Sequence, residues 1–198
     1  MLPGSNKIVS IDIDGTLTDY PKPWLSFLRT QTSQDFDSVF SAKNALGLKN
    51  YDHYKHLWRI SPEKYSVQIR REMKELIEYI YSQQGKVYLN TSRPFEHYQQ
   101  MHKQTTDWLT RNGIRFEGVN KKSLRNLENQ GVRFHIDDQI TELNRLSNAK
   151  HLKYLILVQG NADARDEFGT YINREVHFSD TGGILPLMQN IFAREERT

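Results

Sequence analysis

The chain has 198 residues, enough for one sizeable core carrying an insertion, and its 37% hydrophobic and 26% charged content is that of a soluble globular protein. It has no cysteine, which excludes disulfides and thiolate metal sites, and 27 basic against 24 acidic residues give a charge of +3, too balanced for a dedicated nucleic-acid binder. No basic leader precedes an apolar run and no apolar stretch approaches bilayer length, so a cytoplasmic location with no membrane contact is expected.

The first element, Ile8 to Ile13, is a β-branched apolar run that predicts a strand and carries Asp12 and Asp14, with Gly15 next. Residues two apart on a strand face the same way, so the two carboxylates are expected to leave its end side by side. Such a pair is held together by a divalent cation or by a need for different protonation states. The same Asp-Gly step also reads as a hairpin turn. From Tyr20 to Gln84 no strand pattern occurs. Short helices are expected around Trp24–Leu28, from Phe36 to Gly47, and from Tyr51 to Ile60. A long one should then open at Ser61-Pro62-Glu63 and run, on the face Tyr65, Ile69, Met73, Leu76, Ile80, to Gly85.

From Lys86 the texture becomes strand alternating with helix, the pattern of a parallel sheet covered by helices. Strands are expected at Val87–Leu89, Ile114–Val119, Val132–Ile136, Tyr154–Val158 and Glu175–Phe178. Helices are expected at Glu96–Arg111, around Leu124 and Leu127, over Ile140–Leu146, and over Ile184–Phe192. The fold class is therefore α/β, a Rossmann-like three-layer domain with a mostly parallel sheet and a small helical insertion after the first strand. The division is 1–19 and 85–198 for the core and 20–84 for the insertion.

Three further clusters fall at expected strand ends, where open parallel sheets place ligands. Asn90-Thr91-Ser92-Arg93-Pro94 precedes a helix that Pro94 would start, so Thr91 and Ser92 with the helix N-terminus make a phosphate cradle, or simply a helix cap. His135-Ile136-Asp137-Asp138-Gln139 repeats the acid pair, with Asp138 as an alternative N-cap. Lys121-Lys122 is a cation pair that alone would read as solvated surface. His53 and His56 share a helix face without a third ligand, which argues against zinc.

In this order the clusters resemble the four motifs of the haloacid dehalogenase (HAD) superfamily. The insertion is similar to that family's C1-type cap, and Asp14-Gly15-Thr16-Leu17-Thr18-Asp19 with Thr91-Ser92-Arg93-Pro94 and Ile136-Asp137-Asp138 resembles the 5′(3′)-deoxyribonucleotidase type. A weaker resemblance is to the phosphatase half of polynucleotide kinase-phosphatases. The resemblance implies a Mg²⁺-dependent phosphomonoesterase acting on a small phosphorylated metabolite, first of all a nucleoside monophosphate. A sugar phosphate and a polynucleotide 3′-end are the alternatives, and a non-catalytic phosphate-binding module the least favoured. Asp12 would be the nucleophile and Asp14 the general acid–base, its proton retained because Asp12 is adjacent. Mg²⁺ would be bound by Asp12, the Asp14 carbonyl and Asp138, with Asp137 orienting a metal-bound water. Thr91, Ser92, Arg93 and a lysine would hold phosphate. That lysine is Lys122, with Lys121 and Lys103 as competitors.

Overall fold

The structure, a computed structural model, describes residues 7–158, 175–179 and 182–197. Its centre is a six-stranded sheet in which every neighbouring pair runs parallel, in the order β3-β2-β1-β4-β5-β6. The strands are β1 (Ile8–Ile11), β2 (Lys86–Thr91), β3 (Gly118–Lys121), β4 (Phe134–Asp137), β5 (Tyr154–Val158) and β6 (Glu175–Ser179). In β5 all five residues, Tyr-Leu-Ile-Leu-Val, are buried, as expected of a parallel strand covered on both faces.

The period of two divides the strand side chains between two cores. Val9, Ile11, Val87, Leu89, Phe134, Ile136, Tyr154 and Ile156 pack with Met73, Leu76, Ile77 and Ile80 of α3 (Arg71–Ser82). Trp108 and Leu109 of α4 (Met101–Arg111) join the same cluster, as do Met188, Ile191 and Phe192 of α7 (Ile184–Glu195). On the other face Leu155 and Leu157 meet Leu127 of α5 (Leu124–Gln130) and Leu143 and Leu146 of α6 (Ile140–Leu146). The result is the three-layer α/β arrangement that the strand–helix alternation predicts.

Two helices, α1 (Lys22–Thr32) and α2 (Val39–Ile60), lie between β1 and β2 in the chain and form their own core of Trp24, Leu28, Ala42, Tyr51 and Trp58. The start of α2 is fixed by Ser38, whose side chain accepts from the Ser41 N–H at 3.0 Å while Ser41 Oγ accepts from the Ser38 N–H at 3.1 Å. Gly47, at φ 70°, breaks α2 where the sequence separates two helical runs.

The helix expected from Ser61 to Gly85 is not continuous. Pro62–Tyr65 makes one tight turn, and α3 begins only at Arg71. Between them Ile69 forms an antiparallel bridge with Thr18, the Arg70 N–H donates to the Leu17 carbonyl at 3.0 Å, and Trp108 Nε1 donates to the Val67 carbonyl at 3.1 Å. Those tertiary bonds replace helical ones. The helix after β2 also starts later than Glu96: a short turn covers Phe95–His97 and α4 opens at Met101. The strand expected at Ile114–Val119 is shifted to Gly118–Lys121.

Candidate active site

Because the sheet is parallel, its strand ends deliver Asp12, Thr91, Lys121-Lys122 and Asp137 to one edge; Ile11 is in register with Leu89 and Ile136, and Thr91 with Lys121. Beyond β1 the chain enters a five-residue turn, Ile13–Leu17, in which Gly15 adopts φ 103°. A Cβ on Gly15 would stand 2.2 Å from Asp138 Oδ2. Only glycine lets the β1 loop approach the β4 loop this closely.

Asp12 is 3% exposed, and its Oδ1 accepts from Lys122 Nζ at 2.8 Å. The same ammonium donates to Asp137 Oδ2 at 2.6 Å. Burial, followed by the Asp137 charge, raises the Asp12 pKa, with Lys122 opposing. Asp137 shows the opposite result: burial would raise its pKa, but His135 and Lys122 together lower it. Both of its oxygens are occupied, since Oδ1 accepts the Gln139 N–H at 2.9 Å and Oδ2 also meets His135 Nε2 at 3.2 Å. Asp138 is pushed up to about 7 by burial and by Asp137, with Thr16 Oγ1 donating to it at 3.3 Å.

The carboxylates of Asp12, Asp137 and Asp138 offer oxygens that all lie within 4.8 Å of one another. One lysine bridges two of the three carboxylates but offsets only one charge, and all are oxygen donors, which is the chemistry of a Mg²⁺ site rather than of a soft metal. With both oxygens of Asp137 already accepting hydrogen bonds, Asp138 and Asp12 are the side chains better placed to take a cation.

Asp14 departs from expectation. Its carboxylate is clamped by Arg93, with Nε donating to Oδ2 at 2.8 Å and a terminal nitrogen donating to Oδ1 at 2.7 Å, and Lys64 Nζ stands 3.8 Å away. Burial alone would raise its pKa, but Arg93 and Lys64 outweigh burial and hold Asp14 well below the usual carboxylate range. The expected proton-retaining influence of Asp12 is not among the leading forces on it. Arg93 thus pairs with the site's own acid, and its remaining nitrogen donates to Thr105 Oγ1 at 3.0 Å.

The other expected residues separate clearly. Thr91 is buried and its Oγ1 accepts the Arg93 N–H at 3.3 Å, while Ser92 is exposed beside it. No helix N-terminus stands directly behind them, since α4 starts at Met101. Lys121 points outward to Glu96 at 2.6 Å, and Lys103 to Asp107 at 2.6 Å. Lys122 alone of the three candidates joins the acid cluster.

Asp12, Asp14, Thr91, Ser92, Arg93 and Lys122 line one cavity of about 140 Å³ together with Tyr20, Lys55, Arg59 and Lys64. A larger cavity of about 720 Å³, between Pro62–Ser66 and α4, contains none of the acid cluster. Sequence reasoning missed the cations from the inserted helices. Their only signal was the i, i+4 spacing of Lys55 and Arg59 on α2. Burial, and then Lys64, bring Lys55 down to about 7; burial, and then Arg93, bring Lys64 down to about 8. A second unforeseen feature lies beneath the site on the α5–α6 face. Asn90 Nδ2 donates to Ser10 Oγ at 2.9 Å, Ser10 Oγ meets His135 Nδ1 at 2.9 Å, and His135 Nε2 reaches Asp137. With the Ser10 hydroxyl donating to Nδ1 and Nε2–H to Asp137, every atom of the chain of bonds is satisfied.

Among solved structures, a predicted phosphoglycolate phosphatase from Haemophilus somnus superposes with a TM-score of 0.61 at 15% identity, over 94% of this chain and 100% of that one. A HAD family hydrolase from Deinococcus radiodurans, with bound phosphate and sodium, gives 0.60 at 12% identity over 95% and 97%. The fold is that of the HAD hydrolases. A heptose 1,7-bisphosphate phosphatase from B. bronchiseptica with this HAD-type fold, complexed with magnesium and phosphate, gives 0.53 at 13% identity over 93% and 98%. No family model and no curated protein matches the sequence.

Proposed function

We propose that the protein is a Mg²⁺-dependent phosphomonoesterase that works through an aspartyl phosphate on Asp12. The observation that carries this reading is the convergence of a buried carboxylate, Asp12, and a buried lysine, Lys122, with Thr91 and Ser92 in a single cavity, while the Asp137–Asp138 pair clusters on Asp12. Mg²⁺ would be held by Asp12, Asp138 and the main-chain carbonyl of Asp14, and would supply charge neutralisation between two anions. The magnesium and phosphate in the heptose bisphosphate phosphatase support that choice.

Asp12 Oδ1 is held by Lys122, leaving Oδ2 to attack phosphorus as the bond to the leaving oxygen breaks. Lys122, the Ser92 N–H and the Thr91 hydroxyl meet the charge on the transferring phosphoryl group. Water then attacks the aspartyl phosphate and releases inorganic phosphate. Asp14, ionised as long as Arg93 grips it, has the right state to take a proton from that water. To protonate the leaving alkoxide in the first step it must come free of Arg93 and first take up a proton from solvent, which the alkoxide then receives. The helices α1 and α2, with the segment up to about residue 68, act as the cap, whereas α3 packs on the sheet.

The substrate is a small phosphorylated metabolite. A nucleoside monophosphate gains little support, because of the rings able to stack on a base, Trp24, Phe27, Tyr51, Tyr54 and Trp58, none lines the cavity and all five pack in the core of α1 and α2. A sugar phosphate or phosphorylated hydroxy acid suits a cavity of 140 Å³, well below the roughly 300–1,000 Å³ of pockets for drug-sized ligands. Hydrolysis of p-nitrophenyl phosphate that needs Mg²⁺ and stops with EDTA is the expected result. Absence of hydrolysis across p-nitrophenyl phosphate and a metabolite panel, with Mg²⁺ present, would overturn the reading.

A further inference from the structure

The cap brings more positive charge to the cavity than phosphate transfer requires. Lys55 and Arg59 lie one turn apart on α2, Lys64 follows in the turn Pro62–Tyr65, and all three line the cavity that holds Asp12 and Lys122. The Lys64 side chain is 8% exposed, and its ammonium stands 3.8 Å from Asp14 Oδ2, within ion-pair reach but too far for a hydrogen bond. Lys55 Nζ donates to the Tyr20 hydroxyl at 2.7 Å and sits 4.4 Å from the centre of the Trp24 ring. The Arg59 guanidinium is 5.8 Å from the Tyr98 ring. Among the described residues, Asp14 is the one carboxylate that pairs with any of these three, and it already accepts two hydrogen bonds from Arg93.

Like charges crowded into one small cavity oppose one another, and an ammonium without a hydrogen-bonding anion is costly to bury. The arrangement is satisfied when an anion enters. The phosphate itself is met by Lys122 and the Thr91–Ser92 loop, which leaves the three further cations of the same cavity for the leaving group. We propose that Lys55, Arg59 and Lys64 form a second anion subsite, so that the preferred substrate is a small phosphomonoester whose leaving group bears a carboxylate or a second phosphate. This inference rests on the phosphatase reading for its first anion, but not for its second.

The test compares esters that differ only in that charge: 2-phosphoglycolate with 2-hydroxyethyl phosphate, and 1,3-propanediol bisphosphate with its monophosphate. At the usual net worth of a hydrogen bond to a charged group, kcat/KM should favour one doubly anionic member by roughly ten- to a hundredfold. The pair that shows the preference identifies carboxylate or phosphate as the second group. Lys55→Gln and Arg59→Gln, each checked for folding by circular dichroism, should shrink that ratio through KM. Equal kcat/KM within both pairs overturns the subsite while leaving the phosphatase reading intact. Calorimetric binding of the same pairs to the Asp12→Asn protein requires no turnover. Tighter binding of the doubly anionic member is expected, and equal affinities overturn the subsite even if the wild-type protein hydrolyses nothing.

Discussion

Among the three candidate lysines, environment does what sequence position does not. Lys122 is 5% exposed and bridges Asp12 and Asp137, which hold its pKa above the ordinary lysine value against the opposing effect of burial. Lys121 and Lys103 are solvated partners of Glu96 and Asp107. Lys122→Met should therefore lower kcat about a hundred- to thousandfold, the usual loss for a buried donor to a developing charge, whereas Lys121→Met and Lys103→Met should stay within about twofold. Steady-state kinetics on the folded variants checks this, and a critical Lys103 would contradict it. Asp12→Asn should abolish turnover while phosphate still binds, as equilibrium binding would register. Asp14→Asn should slow alkyl phosphates far more than p-nitrophenyl phosphate, whose leaving group needs little protonation; equal losses would remove Asp14 from proton transfer. The Asp12-x-Asp14 spacing and the Asp137-Asp138 pair were legible in the sequence because strand ends expose them at fixed positions. The Arg93–Asp14 clamp was not, since it joins residues 79 positions apart through a loop whose course depends on the whole fold.

At the scale of elements, β1, β2, β4 and β5 were legible because burial on both faces demands apolar runs, whereas β3, Gly-Val-Asn-Lys, carries no such run and lies later than expected. The segment after Ser61 misled because Tyr65, Ile69, Met73, Leu76 and Ile80 do face one cluster, yet Ile69 reaches it from an extended bridge to Thr18 and not from a helix. The turn Ile13–Leu17 depends on Gly15 more than on any other residue. Gly15→Ala must strain a backbone at φ 103° and displace Asp138, so a loss of about 1–3 kcal/mol in stability should accompany a raised Mg²⁺ requirement, read by thermal melts and metal titration. Helix α2 carries its own cost at Lys55. The unfolded chain keeps that proton to about pH 10.5, whereas the folded protein releases it near 7. Between those values the unfolded state binds more protons, so stability rises with pH; below 7 both states are charged and the full penalty remains. Lys55→Met should thus stabilise the protein near pH 6 by about 1–3 kcal/mol, allowing for the partly exposed side chain, and the gain should fade as pH rises toward 10. Denaturant melts across that range check the slope, and a gain independent of pH would assign the effect to packing.

For the whole molecule, strand order 3-2-1-4-5-6 places the crevice beside β1, between connections that leave in opposite directions, and the site sits there. Because α1 and α2 follow directly after β1, they and the turn Pro62–Tyr65 bring Lys55, Arg59 and Lys64 to the cavity that holds Asp12. This could not be read from a helical stretch whose lysines and arginines look scattered. Charge is thereby concentrated in one small cavity. An extended basic surface, of the kind that tracks a polynucleotide backbone, is a different arrangement and would bind with many phosphate contacts at once. A cap closing over one leaving group should admit a small ester and exclude a polymer. The kcat/KM for a 3′-phosphorylated oligonucleotide should accordingly fall at least about a hundredfold below that of the best small ester, a margin of about 2.7 kcal/mol. Raising salt from low to physiological ionic strength should change KM for the small ester only modestly, since one or two anionic groups release few counterions, whereas a polymer substrate would show a steep decline. Kinetics on both substrates at two ionic strengths decides the matter. Preference for the oligonucleotide with a steep salt slope would mean that the cap opens into a strand-binding groove, and the end-processing alternative would replace the metabolite phosphatase.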